Sequence, residues 1–202
     1  MSVKYKALIV VFFILVIDQV TKILVKTNMT LGESIPVFGH WFYIRFIENP
    51  GMAFGIDMPG KWGKPMLSIF RIVAVLGIGY YIFSLSKKNA PSGLVICLSM
   101  ILAGALGNIV DSTFYGLIFN ESTYSQIAEF TPASGGYASL LHGQVVDMLY
   151  FPLFDGHFPN WLPFWGGKQF VFFRPIFNLA DSSITLGVII ILIFQKKFFR
   201  NL

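Results

Sequence analysis

Four carboxylates lie among apolar neighbours in this chain, and their spacing is the first clue to chemistry. Asp18 and Lys22 stand four apart in Asp18-Gln19-Val20-Thr21-Lys22, so on a helix they share a face and can pair. Gly104, Gly107, Asn108 and Asp111 also follow helical spacing, giving a face of small residues that ends in an amide and a carboxylate. Asn178 and Asp181 repeat that amide–carboxylate pairing three residues apart. Asp147 sits between Val146 and Met148. Two carboxylates held close cannot both ionise cheaply, so one keeps a proton and the pair titrates as a unit. Such a pair supplies a general base to activate water and a general acid for the opposing oxygen or leaving group. It can equally serve a proton relay. Residue types alone therefore leave two readings open: hydrolysis, and a small proton-coupled transporter or membrane assembly factor that uses the carboxylates for ion relay or helix docking. Packing by itself accounts for the glycines and for Asn108. It accounts equally well for an Asp18–Lys22 ion pair that locks helices together, and less well for Asp111.

Other chemistries find less support. No His-Glu-x-x-His run is present, and His40, His142 and His157 are scattered. His142 with Asp147, or Asp155 with His157, would be loose metal sets at best, so no metal is expected. There is no Gly-x-Ser-x-Gly elbow and no glycine-rich phosphate loop, and no cofactor is expected. Cys97 is the single cysteine; among Leu, Ile and Val it reads as a small hydrophobe. Basic residues gather at the ends of apolar runs rather than on one face, which argues for membrane topology and against nucleic acid.

The elements that must hold these residues are membrane helices. Of 202 residues 55% are hydrophobic and 12% charged, against about 25% charged in a soluble domain. A bilayer core of about 30 Å needs roughly 20 mostly apolar residues per helix. Four stretches qualify, at about 5–25, 66–85, 93–110 and 176–194. The first lacks a small-residue cleavage site and reads as a retained helix. Lys4 and Lys6, Lys87 and Lys88, and Lys196, Lys197 and Arg200 fall on one side of a four-crossing chain. Both termini are then cytoplasmic, and the long connections, about 26–65 and 111–175, face outward. That topology puts Asp111 and Asp181 at the outer ends of their helices, with Asp147 between them in the chain. The expected fold is an all-α membrane protein, a single integral membrane domain over 1–202 with four transmembrane helices. His40 to Glu48, HWFYIRFIE, reads as extended structure on the membrane surface. Phe151 to Pro175 carries nine Phe or Trp among 25 residues, a density suited to the headgroup interface. Gly135-Gly136 could hinge a flap over the site, or the segment could be a solvated spacer.

Five motifs in this order resemble those of the lipoprotein signal peptidases (signal peptidase II), and the likeness covers nearly the whole chain. They are Asp18-Gln-Val-Thr-Lys22, Asn49-Pro-Gly51-Met-Ala-Phe-Gly55, Gly104-Ala-Leu-Gly107-Asn108-Ile-Val-Asp111, Val145-Val-Asp147 and Phe177-Asn178-Leu-Ala-Asp181-Ser182. The resemblance implies an aspartyl endopeptidase of the bacterial plasma membrane. Such an enzyme cuts prolipoproteins just before a diacylglyceryl-modified cysteine, near the extracytoplasmic face, and works with membrane lipids around it. It also implies a small sheet on the outer surface, Asp147 and Asp181 as the catalytic pair, and Asn108 and Asn178 orienting substrate or carboxylates. Asp18 with Lys22 and Asp111 would support the site, and Asn49 and Gly51 would line the substrate path. Cyclic peptides of the globomycin type would inhibit, and the chain would act as a monomer. The chain departs from the family pattern at Ser112, where an arginine is usual, and Arg174 or Lys168 are the candidate substitutes. The outer segments are also longer than usual, with 35 residues between Asp111 and Asp147 and 33 between Asp147 and Asp181.

Overall fold

The computed structural model describes residues 2–50, 63–88 and 90–200. Among the described residues six helices, α1 (Val3–Lys26), α2 (Gly63–Lys87), α3 (Ser92–Val110), α4 (Gly116–Ile118), α5 (Leu179–Ile193) and α6 (Gln195–Phe199), accompany six strands. These are β1 (Ser34–Phe38), β2 (Phe42–Asn49), β3 (Val145–Tyr150), β4 (Phe154–His157), β5 (Gln169–Phe172) and β6 (Ile176–Phe177). A π-helical turn, Asp111–Tyr115, joins α3 to α4.

The helices are apolar outward and polar inward. Leu8, Phe12, Phe70, Leu76 and Ile193 are exposed, whereas Asp18, Lys22, Lys26 and Asp111 are fully buried. Water would oppose such a surface; a bilayer covers it. Among the described residues three helical segments are long and apolar enough to cross a membrane: α1, Ser68–Lys87 of α2, and Ser92–Ile118 from α3 through α4. The expected fourth crossing over 176–194 takes a different form. Ile176 and Phe177 are drawn into β6 beside Leu149 and Tyr150, Asn178 caps α5, and the helix keeps 15 residues. At 1.5 Å per residue that is roughly 22 Å. α6 follows directly after Phe194.

Helix α3 is the hub of the bundle and packs most extensively on α5 and α1. Its glycines make that possible. A Cβ at Gly107 would sit 2.5 Å from an Asp18 carboxylate oxygen, and one at Gly104 would strike the carbonyl of Ala180. At the opposite end from the sheet, Ala7, Leu85, Ala90, Leu94, Cys97 and Phe198 form an apolar cluster. Lys4 and Lys87 both lie over the Phe83 ring there. The basic clusters of three different segments thus gather at one end.

The other end carries an antiparallel sheet in the order β1-β2-β3-β6, and a separate β4–β5 hairpin. The expectation of extended structure over HWFYIRFIE is met by β2. Its partner β3 brings Asp147 opposite Ile47 and Val145 opposite Asn49. The segment after α3 packs back onto the fold and is not a solvated spacer. Phe119, Ala128 and Tyr137 pack inward, Ala138 N–H donates to the Gly116 carbonyl at 2.8 Å, and Gly143 N–H donates to that of Ser112 at 2.9 Å. Gly136 has no room for a Cβ against the backbone of Gly116 and Leu117.

Candidate active site

The site is built on two linked layers where the bundle meets the sheet. The lower layer is an ion cluster. Lys22 Nζ lies 2.9 Å from Asp18 and 2.8 Å from Asp111, and donates to the Asn108 side-chain oxygen at 2.9 Å. One ammonium between two carboxylates leaves an uncompensated negative charge, which amide donors share. Gln19 Nε2 donates to Asp111 at 2.9 Å and to Asp18 at 3.2 Å, while Tyr115 O–H donates to the Gln19 carbonyl oxygen at 3.2 Å. Both carboxylates also reach backbone N–H groups. Asp18 accepts from Ala180 N–H at 2.9 Å, and Asp111 accepts from Val146 N–H at 3.3 Å. Ala180 precedes Asp181 and Val146 precedes Asp147. The cluster therefore fixes both backbone segments that carry the upper-layer carboxylates.

The upper layer is Asp147 on β3 and Asp181 in the first turn of α5, tied by two asparagines. Asn178 caps α5 with a capping box. Its side-chain oxygen accepts from Asp181 N–H at 2.9 Å, and Asp181 accepts from Asn178 N–H at 3.3 Å. The Asn178 amide donates across to Asp147 at 2.8 Å. Asn108 donates to Asp181 at 2.8 Å and accepts from Asn178 at 3.2 Å, joining the upper layer to Lys22. Asn49 donates to the second Asp147 oxygen at 3.0 Å. Burial foremost, with the charge of Asp181, pushes the Asp147 carboxyl up to about 7 against the opposing pull of its amide donors. Asp147 is buried and Asp181 half-buried, so the pair is open on its Asp181 side.

Asn49, Asn108, Asn178, Asp18, Lys22, Asp111, Asp147 and Asp181 are thus brought into one network, whereas Gly51 lies outside the described residues. Among the described residues no group of His, Cys, Asp and Glu suits a metal ion. His142 does not turn toward Asp147; its Nδ1 faces Ser139 Oγ and the Leu140 carbonyl in its own turn. Ser112 turns its hydroxyl back onto the Asn108 carbonyl at 2.9 Å. Lys168 and Arg174, the candidate substitutes for a basic group there, are exposed on the β4–β5 hairpin and its root. Among the described residues Arg71 is, besides Lys22, a basic group near the site. It lies on the inward stripe of α2 with Ser68 and Val75, and the charges acting on it are those of Asp181, Asp111 and Asp147. The signal for it was in the chain: a lone arginine inside an apolar span is as anomalous as Asp18. Gln19 was legible only as a motif position; Lys26, paired with Glu48, shows in the Asp18, Lys22, Lys26 spacing, whereas Glu48 does not.

A helical membrane protein whose buried carboxylates converge at one end of the bundle is the class this geometry defines. Residues 10–197 match the family model described as Signal peptidase (SPase) II. Proteins named lipoprotein signal peptidase are similar throughout. That of Porphyromonas gingivalis is 53% identical, covering 91% of this chain and 79% of the relative. That of Amoebophilus asiaticus is 41% identical over 90% and 73%. A solved structure described as a bacterial membrane enzyme superposes with a TM-score of 0.62 at 27% identity, covering 97% of this chain and 91% of the other. A second of the same description gives 0.60 at 28% identity, over 93% and 90%. The chain belongs to the signal peptidase II family, a family of proteases, and is a bacterial membrane protein. The transporter alternative gains nothing from these likenesses.

Proposed function

We propose that this chain is an aspartyl endopeptidase that removes the signal peptide from diacylglyceryl-modified prolipoproteins, with Asp147 and Asp181 as the catalytic pair. The observation that carries this reading is the Asn178 bridge: its side-chain amide donates to the Asp147 carboxylate, its side-chain oxygen accepts from Asp181 N–H, and its own N–H donates to the Asp181 carboxylate. The ionised member of the pair takes a proton from a water between them, and the water oxygen attacks the scissile carbonyl carbon. The protonated member donates to the carbonyl oxygen, giving a gem-diol. The diol then returns a proton to that second carboxylate while the first delivers its proton to the leaving amine as the C–N bond breaks. No metal or organic cofactor takes part.

Asn108 and Asn178 hold the pair in register, and the Asp18–Lys22–Asp111 cluster positions the two backbones behind it. Asn49, with Gly51, borders the substrate path. The lipid on the substrate cysteine stays in the bilayer, so binding energy from an unreactive part aligns the reacting bond. In this reading α5 and α6 together complete a fourth crossing. The termini are cytoplasmic, the site opens near the extracytoplasmic face of the plasma membrane, the chain acts as a monomer, and globomycin-type cyclic peptides block the pair.

The test is cleavage of a diacylglyceryl-cysteine signal-peptide substrate by the purified full chain in detergent. Asp147→Asn and Asp181→Asn should each lose cleavage by about 10³-fold or more while keeping the wild-type fold. A folded single variant with full activity would refute the pairing.

A further inference from the structure

The hairpin that interrupts the chain between Asp147 and Asp181 has two unlike faces. Strands β4 and β5 pair Phe154 with Phe172, Gly156 with Phe170 and His157 with Gln169. Directly paired residues share a face, and the faces alternate along each strand. Phe154, Phe170 and Phe172 therefore line one side. Phe158 continues that side, its ring 4.9 Å from Phe170 and 5.7 Å from Trp165. His157 and Gln169 lie on the other. A two-stranded hairpin has no second layer to cover its apolar side. Phe154 is 69% exposed, and in the loop beyond it Trp161 is 78% and Phe164 91% exposed. Phe164 holds its ring there from a left-handed backbone, φ 68°, a conformation costly for a bulky residue.

We propose that this hairpin lies flat on the outer leaflet of the bilayer that the helices span, with its phenylalanine face and its Trp161–Trp165 tip seated at the headgroup–acyl boundary. Three observations select lipid as the occupant. The hairpin is rooted at the membrane end of the fold: Arg174 is separated from the α5 cap Asn178 by three residues. At its other root, the ring of Phe151 stacks 4.6 Å from Phe42 and 6.2 Å from Trp41 of the β1–β2 ribbon. The aromatic surface thus runs on from the sheet into the hairpin. The tip uses two indoles, rings with an apolar body and an N–H that favour the headgroup level. The hairpin and its root also carry two exposed cations, Lys168 and Arg174, which anionic headgroups attract. The inference rests on the bilayer enclosing the helices and not on the peptidase chemistry, so an inactive chain would leave it standing.

The test uses the full chain in nanodiscs of phosphatidylethanolamine and phosphatidylglycerol, with tryptophans replaced by Phe until Trp161 alone remains. Acyl-brominated lipids should reduce Trp161 emission about twofold or more, and aqueous iodide should have little effect. Phe164→Glu, at a position 91% exposed, should reverse both responses without altering the fold. Iodide quenching with no bromine effect would show a hairpin standing in water and overturn the proposal. Protection from both quenchers would show a second copy or the chain's own surface covering the rings, and would overturn it as well.

Discussion

Asp147 is where burial and the charge of Asp181 act together against the amide donors that favour the ionised carboxylate. Its carboxyl, pushed up to about 7, stays protonated in the folded chain over a range where the unfolded chain ionises at about 3.9. Between those values the unfolded state binds fewer protons than the folded one. Stability therefore falls as pH rises through that window, by at most about 1.4 kcal/mol per pH unit, and levels off above it. Asp147→Asn removes the penalty. Thermal unfolding in detergent should show the variant gaining on the wild type from pH 4 to pH 7 with no further gain above; a difference independent of pH would mean Asp147 is not displaced. Cleavage by the wild type should decline above about pH 7 as the pair loses its shared proton. Arg71 makes a second case. If its guanidinium serves the site, Arg71→Gln lowers kcat/KM about 10–100-fold with the fold intact. Adding Ser112→Arg, which places a guanidinium one residue beyond Asp111, should recover a measurable part of that loss. Unchanged kinetics in Arg71→Gln would remove Arg71 from the site.

The elements show what patterning could reveal and what it could not. Asp18 with Lys22, Asn108 with Asp111 and Asn178 with Asp181 were legible because helical spacing puts each pair on one face. Their joining into one network was not, because Asn178 to Asp147 and Asp18 to Ala180 are contacts across the bundle that no local period records. The extended reading of HWFYIRFIE succeeded through its aromatic and branched residues, while the pairing of β2 with β3 depends on a segment some hundred residues away. The segment after α3 looked like a spacer because its anchors are single residues. One is Lys26, buried against Glu48 and donating to Ser122 at 2.8 Å, with the rings of Tyr137 and Phe119 5.1 and 5.3 Å from its ammonium. Lys26→Met leaves Glu48 buried without its partner and should destabilise the fold by about 3–5 kcal/mol. Lys26→Met with Glu48→Gln should recover most of that in thermal unfolding. Equal losses in the single and double variants would show that Lys26 acts through packing of its stem alone.

For the whole molecule, the polar network sits at one end of the bundle and the basic clusters at the other, and the position of the C-terminus decides how the chain threads between them. α5 alone, with 15 residues, is roughly 22 Å long, short of a bilayer core of about 30 Å. α6 changes the outcome, because Phe198 packs in the same cluster as Ala7, Ala90 and Leu94. The last helix therefore reaches the end where Lys4 and Lys87 lie over Phe83. If that end is cytoplasmic, as the proposed topology has it, a cysteine there is shielded from impermeant maleimide in intact cells, and one on the segment after α3 is not. In a Cys97→Ala background, Tyr124→Cys should label from outside, since Tyr124 is exposed. Lys88→Cys and Arg200→Cys should label only after permeabilisation. Labelling of Arg200→Cys together with Tyr124→Cys would mean that α5 turns back before crossing. The carboxylate pair would then be held by a helix that dips into the bilayer and returns, rather than by a fourth span.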